Sequence, residues 1–138
     1  MSVDLAVQIA IRARLVATPQ VTTLVSATSI LDRNKLPAPS PAIILGEVQL
    51  ADEGRSLARR LTRVFHTIHV WKVEPSREGV KEISAAIRGA IHSERLDLGT
   101  GFHCVDWRVS SIRVLGDPDG ETSHAVVVVD VLAEEVAP

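Results

Sequence analysis

Two histidine-containing motifs are the first candidates for chemistry in this chain. His66-Thr-Ile-His69 has a spacing that, on a helix, would bring two imidazoles to one side as metal ligands. The surrounding residues are β-branched and aromatic, which favours a strand, and on a strand an odd offset sends the two side chains to opposite faces. The remaining histidines, at 92, 103 and 124, offer no third ligand at a suitable spacing. The sequence therefore favours ordinary strand histidines and no metal site.

His103 and Cys104 form the second motif, a thiol beside a possible base. Adjacent residues on a strand point apart, and an isolated cysteine most often behaves as a small hydrophobic residue. Cys104 is the only cysteine, which excludes an internal disulfide and a cysteine-cluster metal site. With no P-loop, paired-carboxylate motif or Ser/His/Asp order, we expect no enzyme activity and no cofactor.

The strongest charge signal is a group of arginines that contains no acidic residue between positions 55 and 63. The group comprises Arg55, Arg59, Arg60 and Arg63. It can be a solvated loop face, or a contact for another subunit, an acidic neighbouring protein or the backbone of passing DNA. Aromatic residues make up only 3% of the chain, so base-specific nucleic-acid recognition is not expected.

The C-terminal part of the chain is acidic. Six acidic residues and no Lys or Arg follow Arg113, whereas the first 113 residues carry fifteen basic and eleven acidic residues. Asp117, Asp119 and Glu121 surround Pro118 in a segment whose composition favours a plain hairpin turn over a cation-binding loop. We expect the arginine group and these three acids to form complementary subunit or partner interfaces.

The elements that position these residues follow from periodicity and from breaker residues. A first helix over Ser2–Val16 is expected to pack with Leu5, Ile9 and Val16, and 31–41 reads as a loop. The predicted strands are 42–48, 61–73, 102–115 and 124–132, and a second main helix capped by Ser76 runs to Ile91. The fold class is α+β: a mostly antiparallel four-stranded sheet with two main helices on one face, in the order α-β-β-α-β-β. We expect one domain over 1–138.

The strand over 61–73 is apolar on both faces, which bears on assembly. Val64 and Ile68 lie on one face and Phe65 and Trp71 on the other. Central strands of this kind need cover on both sides, and two helices supply only one. Either the sheet curls on itself or a neighbouring subunit covers it, and we expect self-association.

The composition predicts a soluble chain with no membrane partner. The chain is 46% hydrophobic with a mean hydropathy of +0.18. No apolar run approaches the roughly 18–20 residues that span a bilayer, and the N-terminus lacks the basic region of a signal peptide.

The whole chain resembles the tail-terminator (tail-completion, or head-to-tail joining) proteins of long-tailed bacteriophages and of phage-derived gene transfer agents. The resemblance rests on an ordered set of segments: 5–15, 22–25, Pro41–Glu47, His66–Trp71, Lys81–His92 and Arg113–Gly120, followed by His124. It implies a hexameric ring on the last ring of the tail tube, which stops tube growth and gives the head connector a docking surface. DNA is then only non-specific cargo through the lumen. The implied partners are the chain itself, the tail-tube protein and the head-connector or stopper protein.

The same resemblance implies a location at the head-tail junction of a phage or gene-transfer-agent particle, after assembly in the bacterial cytoplasm. Two alternatives stay open from the sequence. One is another connector of such particles, a stopper or adaptor, which would bind on the portal side. The other is a small α+β ligand-binding domain, which would show a pocket with convergent polar groups.

Overall fold

Three helices and five strands form the part of the chain that the computed structural model describes, residues 1–35 and 37–136. The helices are α1 (Val3–Ala17), α2 (Pro19–Thr22) and α3 (Glu78–His92), with a 3-10 turn at Ala27–Ser29. The strands are β1 (Ile30–Leu31), β2 (Ala42–Asp52), β3 (Leu61–Val73), β4 (Phe102–Gly116) and β5 (Thr122–Glu135). Among the described residues, no helix is both long enough and apolar enough to cross a bilayer.

The five strands form one sheet in the order β1-β2-β3-β5-β4. β1 pairs with β2 in parallel, and the other three pairings are antiparallel. The predicted α+β class and mostly antiparallel sheet are therefore confirmed.

The predicted count of four strands, and with it the simple order α-β-β-α-β-β, is wrong because α2 and β1 lie between α1 and β2. β1 begins just before the predicted loop over 31–41, of which residue 36 lies outside the described residues. Its Ile30 is fully buried and pairs with Ile43, so it extends the core at the sheet edge. Two residues are too few to leave an alternating pattern in a sequence.

α3 covers the sheet with the apolar stripe that its sequence predicts. Val80, Ile83, Ile87 and Ile91 are all buried. Arg77 occupies the N-cap position and makes no side-chain cap bond. The predicted capping by Ser76 comes from one position earlier, because its hydroxyl accepts a hydrogen bond from the N–H of Glu78, the first helical residue. Glu74 Oε1 accepts a second one from the N–H of Gly79 at 2.8 Å. A carboxylate before the helix thus satisfies a free N–H of the first turn.

α1 packs on the same side of the sheet, but through a different stripe from the predicted one. Val7, Ile11 and Leu15 are fully buried, whereas Leu5 and Ile9 are exposed. The helix carries two apolar stripes, and the buried one has the i, i+4, i+8 spacing of three large side chains. Sequence periodicity alone could not choose between them.

Arg14 joins the two long helices. Its guanidinium donates to the backbone oxygens of Ala90, Glu94 and Arg95, at 2.7, 3.0 and 2.9 Å. These acceptors lie in the last turn of α3 and just beyond it, where carbonyls have no partner in the helix and a cation is favoured. The contact holds the helical layer together on one face of the sheet.

Candidate interaction surface

The helices cover one face of the sheet and leave the other face uncovered among the described residues. Successive side chains of β3 and β5 alternate between these two faces. Val64, His66, Ile68 and Val70 of β3 are buried with the helices, together with odd-numbered residues of β5. We name the opposite side the open face. It carries Phe65, Thr67, His69 and Trp71 of β3 and His124, Val126, Val128 and Leu132 of β5, all half-buried. The two-sided apolar character predicted for the central strand is therefore present.

A chain of aromatic and charged groups crosses the open face. Glu47 Oε1 lies 2.6 Å from His69 Nε2, and His69 Nδ1 lies 2.9 Å from His124 Nε2. The indole of Trp71 stacks on the His124 imidazole, with ring centroids 3.7 Å apart and planes 8° apart. The hydrogen bond to His69 lowers the pKa of the Glu47 carboxyl, while burial and the neighbouring His69 lower the pKa of His124.

This chain of groups was missed at the sequence level because its members are far apart along the chain. His69 and His124 are 55 residues apart and meet only because β5 pairs with β3. No group of three ligands suited to a metal occurs among the described residues. The predicted separation of His66 from His69 is confirmed, since His66 is buried beneath the helices and His69 lies on the open face.

The His103–Cys104 pair is also separated as predicted. Cys104 is buried and faces the core, and burial raises the pKa of its thiol. His103 is exposed. A buried thiol of this kind is a poor nucleophile, so the geometry favours the packing role.

Arg63, one of the four predicted interface arginines, is tied into its own subunit. Its guanidinium donates to Asp130 Oδ1 at 2.9 Å and to Glu53 Oε2 at 3.1 Å. Arg108 Nη2 donates to the other Asp130 oxygen at 3.3 Å. Asp130 is only 3% exposed, so these two arginines neutralise a buried carboxylate.

The other three arginines lie on the loop between β2 and β3, which we name the basic loop (residues 53–60). Arg55, Arg59 and Arg60 are all exposed. Arg55 and Arg59 contact acids of the hairpin, Glu53 at 3.8 Å and Asp52 at 3.4 Å. Surface pairs of this kind contribute little and can exchange partners.

The three predicted acids lie on the turn between β4 and β5, which we name the acidic turn (residues 117–121). Asp119 shapes the turn by accepting hydrogen bonds from the N–H groups of Glu121 and Thr122 and from the Thr122 hydroxyl. The hydrogen bond from the N–H of Glu121 is the largest cause of the lowered pKa of Asp119. The predicted hairpin turn is therefore confirmed; Asp119 and Glu121 are exposed, and Asp117 is half-buried.

The basic loop and the acidic turn lie at opposite ends of the sheet. Leu61 pairs with Glu134, and Val73 pairs with Thr122, so β3 runs the full distance between them. The thirteen residues of β3 span about 40 Å at the rise of an extended strand. The structure therefore does not bring the two predicted charge groups together within one chain.

Beside the acidic turn, the open face ends in a concavity of about 350 Å³, which we name the end cavity. Ala42, Ile44 and Trp71 of the sheet line it, together with Pro39 of the preceding loop. Thr122, the first residue of β5, directly follows the acidic turn and also lines the cavity. The apolar concavity thus lies next to the acidic turn along the chain, but the charged residues that line it are Lys35 and Lys72.

The family described as tail completion protein gp17 matches residues 9–134. A chain of the virion of a native gene transfer agent particle is similar in structure, with a TM-score of 0.81 and 20% identity over 96% of this chain and 98% of that chain. The gp17 protein of bacteriophage SPP1 is similar with a TM-score of 0.62 and 20% identity, over 97% of this chain and 91% of that chain. No curated protein sequence matches the chain. The structural likenesses show a shared fold, and the family match over most of the sequence shows that the chain belongs to the tail completion protein gp17 family.

Proposed function

We propose that this chain forms a hexameric ring that caps the tail tube, stops its elongation and offers a docking surface to the head-connector or stopper protein. DNA passes through the lumen as non-specific cargo. The role is structural, with no catalysis, at the head-tail junction of a phage or gene-transfer-agent particle assembled in the bacterial cytoplasm.

Membership of a tail completion family carries the coarser part of this proposal, a structural role in a tail. One of the similar structures is named as part of a gene transfer agent virion, which fits a particle component. The observation that supports assembly is the open face. Among the described residues, the helices do not cover Phe65, Trp71 and several aliphatic side chains of this face, which are half-buried.

The two ends of the sheet suit a ring. Subunits in a ring meet through heterologous contacts, in which one patch faces a different patch of the next copy. The basic loop presents Arg55, Arg59 and Arg60 at one end, and the acidic turn presents Asp117 and Glu121 at the other. We place these charges opposite one another between neighbouring copies, while Arg63 and Asp119 hold the two surfaces in shape.

The test is a mass determination by light scattering on a sizing column, with and without purified tail-tube protein, followed by tube lengths in electron micrographs. A hexamer-sized species, or a monomer that binds tube ends and halts their growth, supports the proposal. A monomer that leaves tube growth unchanged and instead binds purified portal protein contradicts it.

A further inference from the structure

The tip of the basic loop carries an apolar side chain that packs against nothing within the described residues. Leu57 is fully exposed, with Arg55, Arg59 and Arg60 close by in sequence. Arg59 has a φ of 56°, a left-handed conformation that turns the loop back towards β3. A single exposed leucine is ordinary on a protein surface, but this one lies at a loop tip beside arginines, a residue type enriched at protein interfaces.

The end cavity has the complementary properties. Its lining is mainly apolar, with Ile44 and the Trp71 indole against Ala38 and Pro39. The stack of Trp71 on His124 fixes the position of the indole. A preformed apolar concavity of this size accepts a branched aliphatic side chain without reorganisation.

The acids that could attract the basic loop lie beside the cavity and not in its lining. Asp117 and Glu121 of the acidic turn precede Thr122, which lines the cavity. Two cations, Lys35 and Lys72, also line it, and Lys72 Nζ lies 3.9 Å from the Glu74 carboxylate. A loop that carries arginines therefore meets attraction at the acidic turn, while its leucine meets the apolar floor.

We propose that Leu57 of one copy inserts into the end cavity of the next copy, with Arg59 and Arg60 facing Asp117 and Glu121 of that neighbour. The inference rests on the proposed ring and names its subunit contact. The loop and the cavity of one chain lie at opposite ends of β3, about 40 Å apart, so only a second copy can supply the leucine. Each copy gives a leucine at one end and receives one at the other, which is a heterologous contact.

Cysteine cross-linking tests the contact directly. Leu57→Cys and Ala38→Cys are made in separate chains, mixed over a range of concentrations and oxidised, while the buried Cys104 stays as it is. Glu82→Cys, on the exposed side of α3, replaces Ala38→Cys in the matched control. The inference predicts a disulfide-linked dimer of one chain of each kind, at least tenfold more abundant than in the control mixture. Equal yields in the two mixtures, or none in either, overturn it.

A second measurement removes the anchor without touching the core. Leu57→Ala should weaken self-association roughly tenfold to a hundredfold, as expected for a leucine side chain that becomes buried. Ile9→Ala is the control, because Ile9 is a large aliphatic side chain on α1 that is about half exposed. A Leu57→Ala chain that forms rings and caps tubes as well as the unmodified chain overturns this inference and leaves the proposed function standing. An unmodified chain that neither self-associates nor caps tubes overturns both.

Discussion

Arg63 Nη1 donates to Asp130 Oδ1 at 2.9 Å and ties β3 to β5 across the open face. Asp130 is almost completely buried, and Arg108 contacts its second oxygen. Arg63 therefore has a different role from the exposed arginines near it in sequence, because it neutralises a carboxylate that is buried in the fold. When Asp130 is removed, Arg63 keeps its contact with Glu53, but Arg63 Nη1 and Arg108 Nη2 both lose their acceptor.

Asp130→Ala is therefore expected to lower the free energy of unfolding by about 1.5–3 kcal/mol, the range of hydrogen bonds to charged groups. Asp130→Asn keeps the shape and should cost less, since an amide oxygen can still accept from Arg63. Urea denaturation of the variants measures both values. Arg55→Ala is the control, with a change within about 0.5 kcal/mol because its ion pair is exposed. A cost for Asp130→Ala no larger than the control would contradict this role.

His66 is a buried imidazole whose two ring nitrogens lack a hydrogen-bond partner among the described residues. Burial lowers the pKa of His66, so the folded state favours the neutral ring. The unfolded chain takes up a proton below about pH 6.5. The contribution of His66 to stability is thus fully present above that pH and is lost as the pH falls towards the lowered folded pKa.

His66→Leu is expected to raise the free energy of unfolding by about 1 kcal/mol at pH 7.5, because an unpaired polar group leaves the core. The gain should be larger at pH 5.5. There, proton uptake by His66 in the unfolded state destabilises the unmodified protein, and the variant has no imidazole to take up that proton. Urea denaturation at the two pH values measures the difference. His103→Leu, at an exposed position, should leave the loss of stability on acidification in place because His66 is still present. A gain for His66→Leu that is the same at both pH values would contradict the argument.

The two histidines of β3 also show what the sequence could and could not predict. Alternation along a single strand is a local property, so the opposite orientations of His66 and His69 followed from their spacing. The contact of His69 with His124 depends on β5 lying between β3 and β4, which is a long-range pairing. Asp130 poses the same problem, because its sequence neighbours do not reveal that two arginines from other strands reach it. The elements themselves were predictable where their patterns were long, and β1 was missed because it has two residues.

The two glycines of α3 provide a matched pair of substitutions. A Cβ at Gly79 would overlap Glu74 Oε2 and lie 2.6 Å from Lys72 Cδ, whereas a Cβ at Gly89 meets nothing within 4 Å. Gly79→Ala should displace the carboxylate that accepts from the first turn and lower the free energy of unfolding by about 1–2 kcal/mol. Gly89→Ala should raise it by about 0.5–1 kcal/mol through helix propensity. Thermal unfolding followed by circular dichroism measures both, and stabilisation by Gly79→Ala would contradict the predicted clash.

Even a conservative substitution of Arg14 is expected to destabilise the protein. Its planar guanidinium reaches several oxygens at the end of α3 at once, which the single ammonium of a lysine cannot do. Arg14→Lys should lower the free energy of unfolding by about 1–2 kcal/mol, measured by urea denaturation. Arg88→Lys, on the exposed side of α3, is the control and should change it by less than about 0.5 kcal/mol. Equal costs for the two variants would show that the multiple contacts of Arg14 add nothing.

A pair of charge-reversed chains tests the proposed contact between the basic loop and the acidic turn. The first chain carries Arg59→Glu and Arg60→Glu, and the second carries Asp117→Lys and Glu121→Lys. Each chain alone should self-associate at least tenfold more weakly, because every contact then joins like charges. Mixed in equal amounts, the two chains can alternate, so that every loop meets a turn of opposite charge.

An alternating arrangement closes only in a ring with an even number of subunits, and the proposed hexamer satisfies that condition. Light scattering should therefore recover the hexamer mass from the mixture at low salt, and added salt should weaken it. Arg88→Glu chains, with the charge reversed on α3, are the control and should assemble alone. Failure of the mixture to assemble, while the unmodified chain forms hexamers, would show that the loop and the turn do not face one another in the ring.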